Sequence, residues 1–229
     1  LSWHWIFWIS TVLLLFALVL GLLFLRNVST ITKPKIDILS IILSTIGFGG
    51  IVYGFSAAGE GAGEWLQKGV LLPIVIGTIS LTLFSIRQFK MAQPMINLRV
   101  FKFSMFTLGV IMVFAAMMLI LASAILLPLY LKGSLLLTAF TAGLVLLPGG
   151  LVNGLMSPFA GTLFDKYGPK FLVIPGFIMT TITTFFLSDI TTTTSTTIII
   201  ILHTCLFIGI ALIMMPAQTN GLNQLPPAF

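Results

Sequence analysis

The sequence predicts an all-α protein, a polytopic transmembrane helical bundle with seven spans. Three observations lead there. Of 229 residues, 58% are hydrophobic and only 7% are charged, and the mean hydropathy is +1.18. A water-soluble domain carries roughly 25% charged residues, so this chain cannot cover itself with polar surface and its solvent must be lipid. Seven apolar runs are long enough to cross hydrocarbon, which takes a helix of ~20 residues. The basic residues collect in alternate connections between those runs, the asymmetry that orients helices in a bilayer.

The first run covers about 5–25. Trp3, Trp5 and Trp8 crowd its start, and indole rings favour the level of the lipid headgroups. His4 beside them reads as a hydrated, interfacial histidine. Arg26 closes the span and a polar loop, 26–37, follows with Lys33, Pro34 and Lys35. Asp37 is placed to cap the next helix, where a carboxylate meets unpaired amides and the positive dipole end.

The second span is about 38–58. Its Gly50-x-x-x-Gly54 puts two missing side chains on one face and allows close helix approach. Glu60 and Glu64 lie in the glycine-rich loop after it. The third span, about 69–86, leads into a basic connector, 87–103, with Arg87, Lys90, Arg99 and Lys102 around Pro94. A short surface helix is expected there, with Met95, Ile96, Leu98, Val100 and Phe101 turned inward.

The fourth span, about 104–127, carries Phe114, Met117 and Met118 at helical spacing. Flexible thioethers and aromatic rings suit a promiscuous apolar pocket, and equally suit lipid contact or ordinary core. The fifth, about 138–160, holds Pro148, Asn153, Pro158 and a second close-packing pair, Gly150-x-x-x-Gly154. Prolines allow a bend where neighbouring helices satisfy the freed carbonyls. The sixth is about 171–188. A threonine-rich loop leads to the last, about 198–215, which contains His203, the one ionisable side chain at mid-span. A buried ionisable group is a proton-relay candidate. Packing against a neighbouring helix through a hydrogen bond is the simpler reading.

Placing the loop after the first span in the cytosol tests the count. Loops 26–37, 87–103 and 161–170 are then cytoplasmic. They hold Arg26, Lys33, Lys35, Arg87, Lys90, Arg99, Lys102, Lys166 and Lys170, nine of the eleven Lys and Arg residues. Lys68 and Lys132 remain outside. A missed span in the middle would destroy this bias.

Several function classes are disfavoured. The net charge of +6 comes from residues scattered among connections, whereas nucleic-acid binding needs a basic face. The single Cys205 forms no internal disulfide. An intramembrane enzyme needs a nucleophile with a base, or a metal cluster. His203 and Cys205, two residues apart on a helix, point to different faces. No metal, cofactor or nucleotide motif is read from the chain.

The densest polar feature is Gly161-Thr-Leu-Phe-Asp165-Lys166-Tyr-Gly168-Pro169-Lys170. Charge, glycine and proline at this density cannot lie in hydrocarbon. Gly168 permits a backbone that other residues resist, and Asp165 is placed to accept hydrogen bonds at the start of the following helix. Lys166 and Lys170 can pair with acidic side chains or helix carboxyl ends across the cytoplasmic face, or serve only as topology signals.

This stretch resembles the loop motif of the major facilitator superfamily. Gly161, Leu163, Asp165, Lys166, Gly168 and Lys170 match it, while Pro169 departs where a second basic residue is common. Trp3-His-Trp5-Ile-Phe7, Pro94-Met-Ile-Asn-Leu98-Arg99-Val-Phe101, Leu127-Pro-Leu-Tyr-Leu131 and Ala142-Gly-Leu-Val-Leu-Leu-Pro148-Gly149 are similar to stretches of its fourteen-span drug:proton antiporters, the QacA-like and EmrB-like branch. The resemblance implies spans six to twelve of that fold. Residues 1–103 would be spans six to eight with the extra central helix pair, and 104–229 the first four spans of the C-terminal bundle. It implies a gating role for the motif, with Phe114, Met117, Met118, Asn153 and His203 as candidates for the substrate path. The implied partners are the lipid bilayer, small hydrophobic or cationic drug-like substrates, protons, and an N-terminal bundle. Because the chain starts at Leu1 close to a span and stops soon after another, it reads as an internal piece of a longer protein. A non-transporting membrane scaffold or degenerate remnant is the alternative.

Overall fold

The computed structural model describes residues 4–25, 37–60, 65–223 and 225. Those residues form seven α-helices: α1 (His4–Phe24), α2 (Ile38–Glu60), α3 (Lys68–Lys90), α4 (Ser104–Gly133), α5 (Ala139–Tyr167), α6 (Pro169–Ser188) and α7 (Thr196–Asn223). A short 3₁₀ helix, Leu98–Lys102, precedes α4. All seven α-helices are long and apolar enough to cross a membrane. Trp3, the loop residues Arg26, Lys33 and Lys35, and Glu64 lie outside the described residues.

The chain divides into two compact units, Leu1–Phe84 and Ser85–Phe229. In the first, α2 and α3 meet along a glycine seam. A Cβ added at Gly50 would lie 2.7 Å from the Pro73 carbonyl oxygen and 3.1 Å from the Gly77 Cα. One added at Gly77 would lie 2.8 Å from the Gly47 carbonyl oxygen. Backbone approaches backbone here because no side chain intervenes, as the Gly50/Gly54 spacing predicts. Ser80 Oγ donates across the seam to the Leu43 carbonyl at 2.8 Å. Asp37 caps α2 as expected: its carboxylate accepts from the Ser40 amide at 3.4 Å and the Ser40 hydroxyl at 2.5 Å.

In the second unit α7 is the central helix. It packs against α4, α5 and α6, and ten of its residues are buried. Small residues permit the contacts. A Cβ at Gly176 of α6 would come within 2.9 Å of the Gly209 carbonyl oxygen of α7, and a Cβ at Gly109 of α4 within 2.7 Å of the Ala217 carbonyl oxygen. Two apolar clusters result. One joins Leu127, Leu131, Ala142, Val145 and Ile199. The other joins Ala116, Leu206, Ile210 and Ile213. The connector ahead of α4 belongs to this unit. The Gln88 side-chain oxygen accepts from the Ile96 amide at 3.2 Å, and the Arg99 guanidinium donates to the Phe89 carbonyl at 3.1 Å.

Four expectations are corrected. Helices α4, α5 and α7 run further than their apolar runs, α4 and α7 by passing through Pro128 and Pro216; tolerated prolines are ordinary where surrounding helices compensate the lost hydrogen bond. Residues 161–167 are the last two turns of α5, not part of a loop, because neither glycine nor proline lies between Gly161 and Gly168. Gly150 and Gly154 face open space within the unit, so that spacing is not a packing seam here. In the connector, Met95, Ile96 and Phe101 are exposed instead of turned inward, since one short 3₁₀ turn cannot bury five apolar side chains.

Candidate functional site: the α5–α6 turn and the polar layer of the bundle

The turn between α5 and α6 is a single residue. Gly168 has φ +77° and ψ 172°, a region of the backbone map open essentially to glycine alone. Its amide donates to the Phe164 carbonyl at 2.8 Å and ends α5. Gly168 is also the N-cap of α6, with no side-chain cap, and Pro169 occupies the first helical position. Proline suits that place because its missing N–H would have no partner there. The capping role expected of Asp165 is therefore replaced: Asp165 lies inside α5, three residues before the turn.

The motif residues divide by environment. Gly161 is buried, and a Cβ there would press to 2.9 Å from Met215 Cε of α7. Leu163 and Gly168 are half-buried, whereas Asp165, Lys166 and Lys170 are exposed. Lys166 Nζ stands 5.1 Å from the centroid of the neighbouring Tyr167 ring, which in turn packs on Phe171 at 5.2 Å between centroids. The turn thus presents one carboxylate and two ammonium groups on a rigid, aromatic-braced helix end. Gly161 meanwhile lets α5 lie close to α7.

The substrate-path candidates are not gathered at one place. Phe114, Met117 and Met118 lie on the exposed side of α4, 64%, 41% and 57% accessible. Ala116 and Ser123 form the buried stripe of that helix, and the three candidates fall off it. Asn153 is half-buried on α5, one turn after Gly149. His203 is buried on α7, flush against Gly149 of α5. A Cβ at Gly149 would fall 2.7 Å from His203 Cε1 and closer still to Nδ1. Phe207 packs on the imidazole at 4.7 Å between centroids. The hydrogen bond expected of His203 is not made through Nδ1.

The sequence reading missed the layer to which His203 belongs. Ser123 sits in α4 between the Ala116 and Leu127 contacts, and His203 and Thr204 sit in α7 between Ile199 and Leu206. Ser123 Oγ, His203 Nδ1 and Thr204 Oγ1 are buried without a hydrogen-bond partner among the described residues. Leu187 packs against both apolar clusters, so these polar groups interrupt the packing without separating it. The available signal was three polar residues inside apolar spans, Ser123 in α4 and His203 and Thr204 in α7.

Seven helices of membrane-crossing length and apolar composition define a multi-pass membrane protein. The Major Facilitator Superfamily model matches residues 1–228, and the chain belongs to that superfamily of transporters. It is 66% identical over 229 residues to the lincomycin resistance protein LmrB of Bacillus subtilis (strain 168), covering 100% of this chain and 48% of that protein. It is 61% identical over 227 residues to LmrB of Listeria innocua serovar 6a, covering 99% and 48%. Similarity extends to the Probable multidrug resistance protein EmrY of Escherichia coli (strain K12), 27% identical over 82% of this chain and 36% of that protein. The chain thus spans about half the length of LmrB.

Proposed function

We propose that the chain works within a proton-coupled multidrug efflux antiporter that operates by alternating access, two bundles rocking about a midplane site. Its substrates are small hydrophobic or cationic drug-like molecules, lincomycin among them by analogy with LmrB. Residues 1–103 serve as spans six to eight and 104–229 as the first four spans of the C-terminal bundle. Its partners are the bilayer, the exported drug, protons and an N-terminal bundle. Residues 26–37, 87–103 and 161–170, helix ends and connections alike, face the cytosol of a cell membrane. Its part is in transport by the whole protein, not in enzymatic chemistry.

The observation that carries this reading is the α5–α6 turn. Asp165, Lys166 and Lys170 are exposed at the end of two helices that both pack on α7. Charges held there can bind a partner helix end in one access state and release it in the other. Expression of the full-length protein in a drug-sensitised host tests it. Lincomycin resistance is expected to fall at least tenfold in Asp165→Asn with membrane insertion unchanged, and to collapse when the proton gradient is dissipated. Resistance untouched by both treatments contradicts the reading.

A further inference from the structure

Helices α5 and α7 meet at two depths where a glycine of α5 receives a side chain of α7. Gly161 receives Met215, and Gly149 receives His203. The step between the two contacts is the same along both helices, so α5 and α7 run parallel in one register. The contacts differ in how they can yield. The Met215 thioether is unbranched and adaptable, whereas the His203 ring is rigid. A Cβ at Gly149 would meet Nδ1, Cε1 and Cγ of the imidazole together, the last at 3.3 Å. The ring therefore fills the place of a side chain at position 149. Gly149 and His203 are both buried within this unit alone, whatever surrounds it.

The α5 backbone is weakest at the same place. Pro148 has no N–H, so the Leu144 carbonyl loses its helical donor, and a proline inside a helix kinks or breaks it. Gly149 and Gly150 follow, each a poor helix former. A Cβ at Gly150 would meet nothing. Nevertheless α5 runs unbroken from Ala139 to Tyr167. At the same contact His203 Nδ1 is buried without a hydrogen-bond partner among the described residues. A carbonyl deprived of its donor and a ring nitrogen without a partner thus belong to the two sides of one helix contact. Unpaired polar groups away from water are costly, and joining these two would relieve both.

We propose that residues 148–150 are a hinge in α5 and that His203 is its latch. In the conformation described above α5 is unbroken and the imidazole rests in the Gly149 notch. In the second conformation α5 bends at the hinge, the Leu144 carbonyl tilts off the helix axis towards α7, and Nδ1–H donates to it. That hydrogen bond offsets the helical bonds strained by the bend, which keeps the two conformations close in free energy. The bend moves the half of α5 from Ala139 to Leu147. The other half, with Gly161 and the α5–α6 turn, stays on α7. His203 is thereby a positioning residue, acting through α5. The use of this motion in alternating access rests on the transport reading above; the hinge itself does not.

Spin labels at Phe140→Cys of α5 and Thr197→Cys of α7, near the ends where these helices start, test it by pulsed distance measurement. The sample is the full-length protein, freed of its other cysteines and reconstituted in lipid nanodiscs. Two distance populations are expected with Pro148 and His203 in place. The pair Phe159→Cys and Leu222→Cys, on the far side of the hinge, should give one. Pro148→Ala returns a donor to the Leu144 carbonyl and should reduce the second population at least tenfold. His203→Ala should reduce it about fivefold, the worth of one net hydrogen bond. His203→Gln, which keeps a donor, should restore it. A histidine that only fills space gives the opposite sign, because the void left by alanine frees α5 to move. In the Pro148→Ala background His203→Ala should change nothing further. Elution profile reports folding, and Pro148→Ala, which adds a better helix former, carries the test if His203→Ala does not fold. A single distance with both residues in place, a second population that survives Pro148→Ala, or one that grows in His203→Ala overturns the proposal. A second population that added lincomycin leaves unchanged upholds the hinge and counts against the transport reading alone.

Discussion

Helices α1 and α7 are nearly equal in apolar character, with mean hydropathy of 2.7 and 2.8 over their spans. Yet α1 carries no buried residue and α7 carries ten. Equal hydropathy therefore does not bring equal burial within the chain. Helix α1 is mostly Leu, Val, Ile, Phe and Trp, with Ser10, Thr11, Ala17 and Gly21 as its small residues. Helix α7 carries Gly209, Ala211, Ala217 and Gly221 on its buried faces, and His203 among them. In lipid there is no hydrophobic drive to bring helices together, so close packing and polar contact must do it. Hydropathy selects the solvent; the small residues select the neighbours.

The strongest way to break this contrast is to enlarge a contact glycine. Gly176→Leu would drive a side chain into the backbone of α7 at Gly209. Because backbone cannot yield as a flexible side chain can, the loss is expected to exceed the ~1–3 kcal/mol of ordinary overpacking. Loss of the folded, monodisperse species on size exclusion is the readout.

Gly149→Ala comes next. Its methyl meets the His203 ring rather than backbone, so the cost should be about 1–3 kcal/mol. Adding His203→Ala should recover part of it, and a double-mutant cycle on thermal stability should show coupling of at least ~0.5 kcal/mol. Strict additivity would mean the two residues do not touch.

Gly168→Ala tests the turn. A non-glycine residue at φ +77° costs ~1–3 kcal/mol, which should appear as a lowered melting temperature. Smallest of all is Leu14→Ala on α1. Leu14 is 69% exposed, and exposed positions usually change stability by no more than ~0.5 kcal/mol. A large loss there would show that α1 packs as α7 does.

Much of the fold was legible in the chain. The seven spans follow from apolar length alone, and the role of Gly168 followed from glycine's permissive backbone. The limits are instructive in the two glycine pairs. Gly50 and Gly54 lie on the α2–α3 seam, while Gly150 and Gly154, at the same spacing, face open space. Spacing shows that a face can pack; the partner is chosen by the depth at which other helices present small residues, which one chain segment does not encode. Helix α5 turns instead a neighbouring stripe, Ala142, Val145, Gly149, Ala160 and Gly161, to the interior. The candidate site was legible to the same extent. The motif and its glycine were readable, but residues 161–167 continue a helix because charge alone does not end one. The Ser123, His203 and Thr204 layer depends on helix pairing and could not be read from any single span.

The central claim is that the Gly168 turn lies on the cytosolic side of a seven-span arrangement. Single cysteines at Lys170 and at Leu136, in a full-length protein freed of its native cysteines, Cys205 included, test it with a membrane-impermeant maleimide on intact cells. Leu136→Cys, in the exposed α4–α5 connection, should be labelled from outside, and Lys170→Cys only after the membrane is opened. Labelling of Lys170→Cys in intact cells would contradict the account.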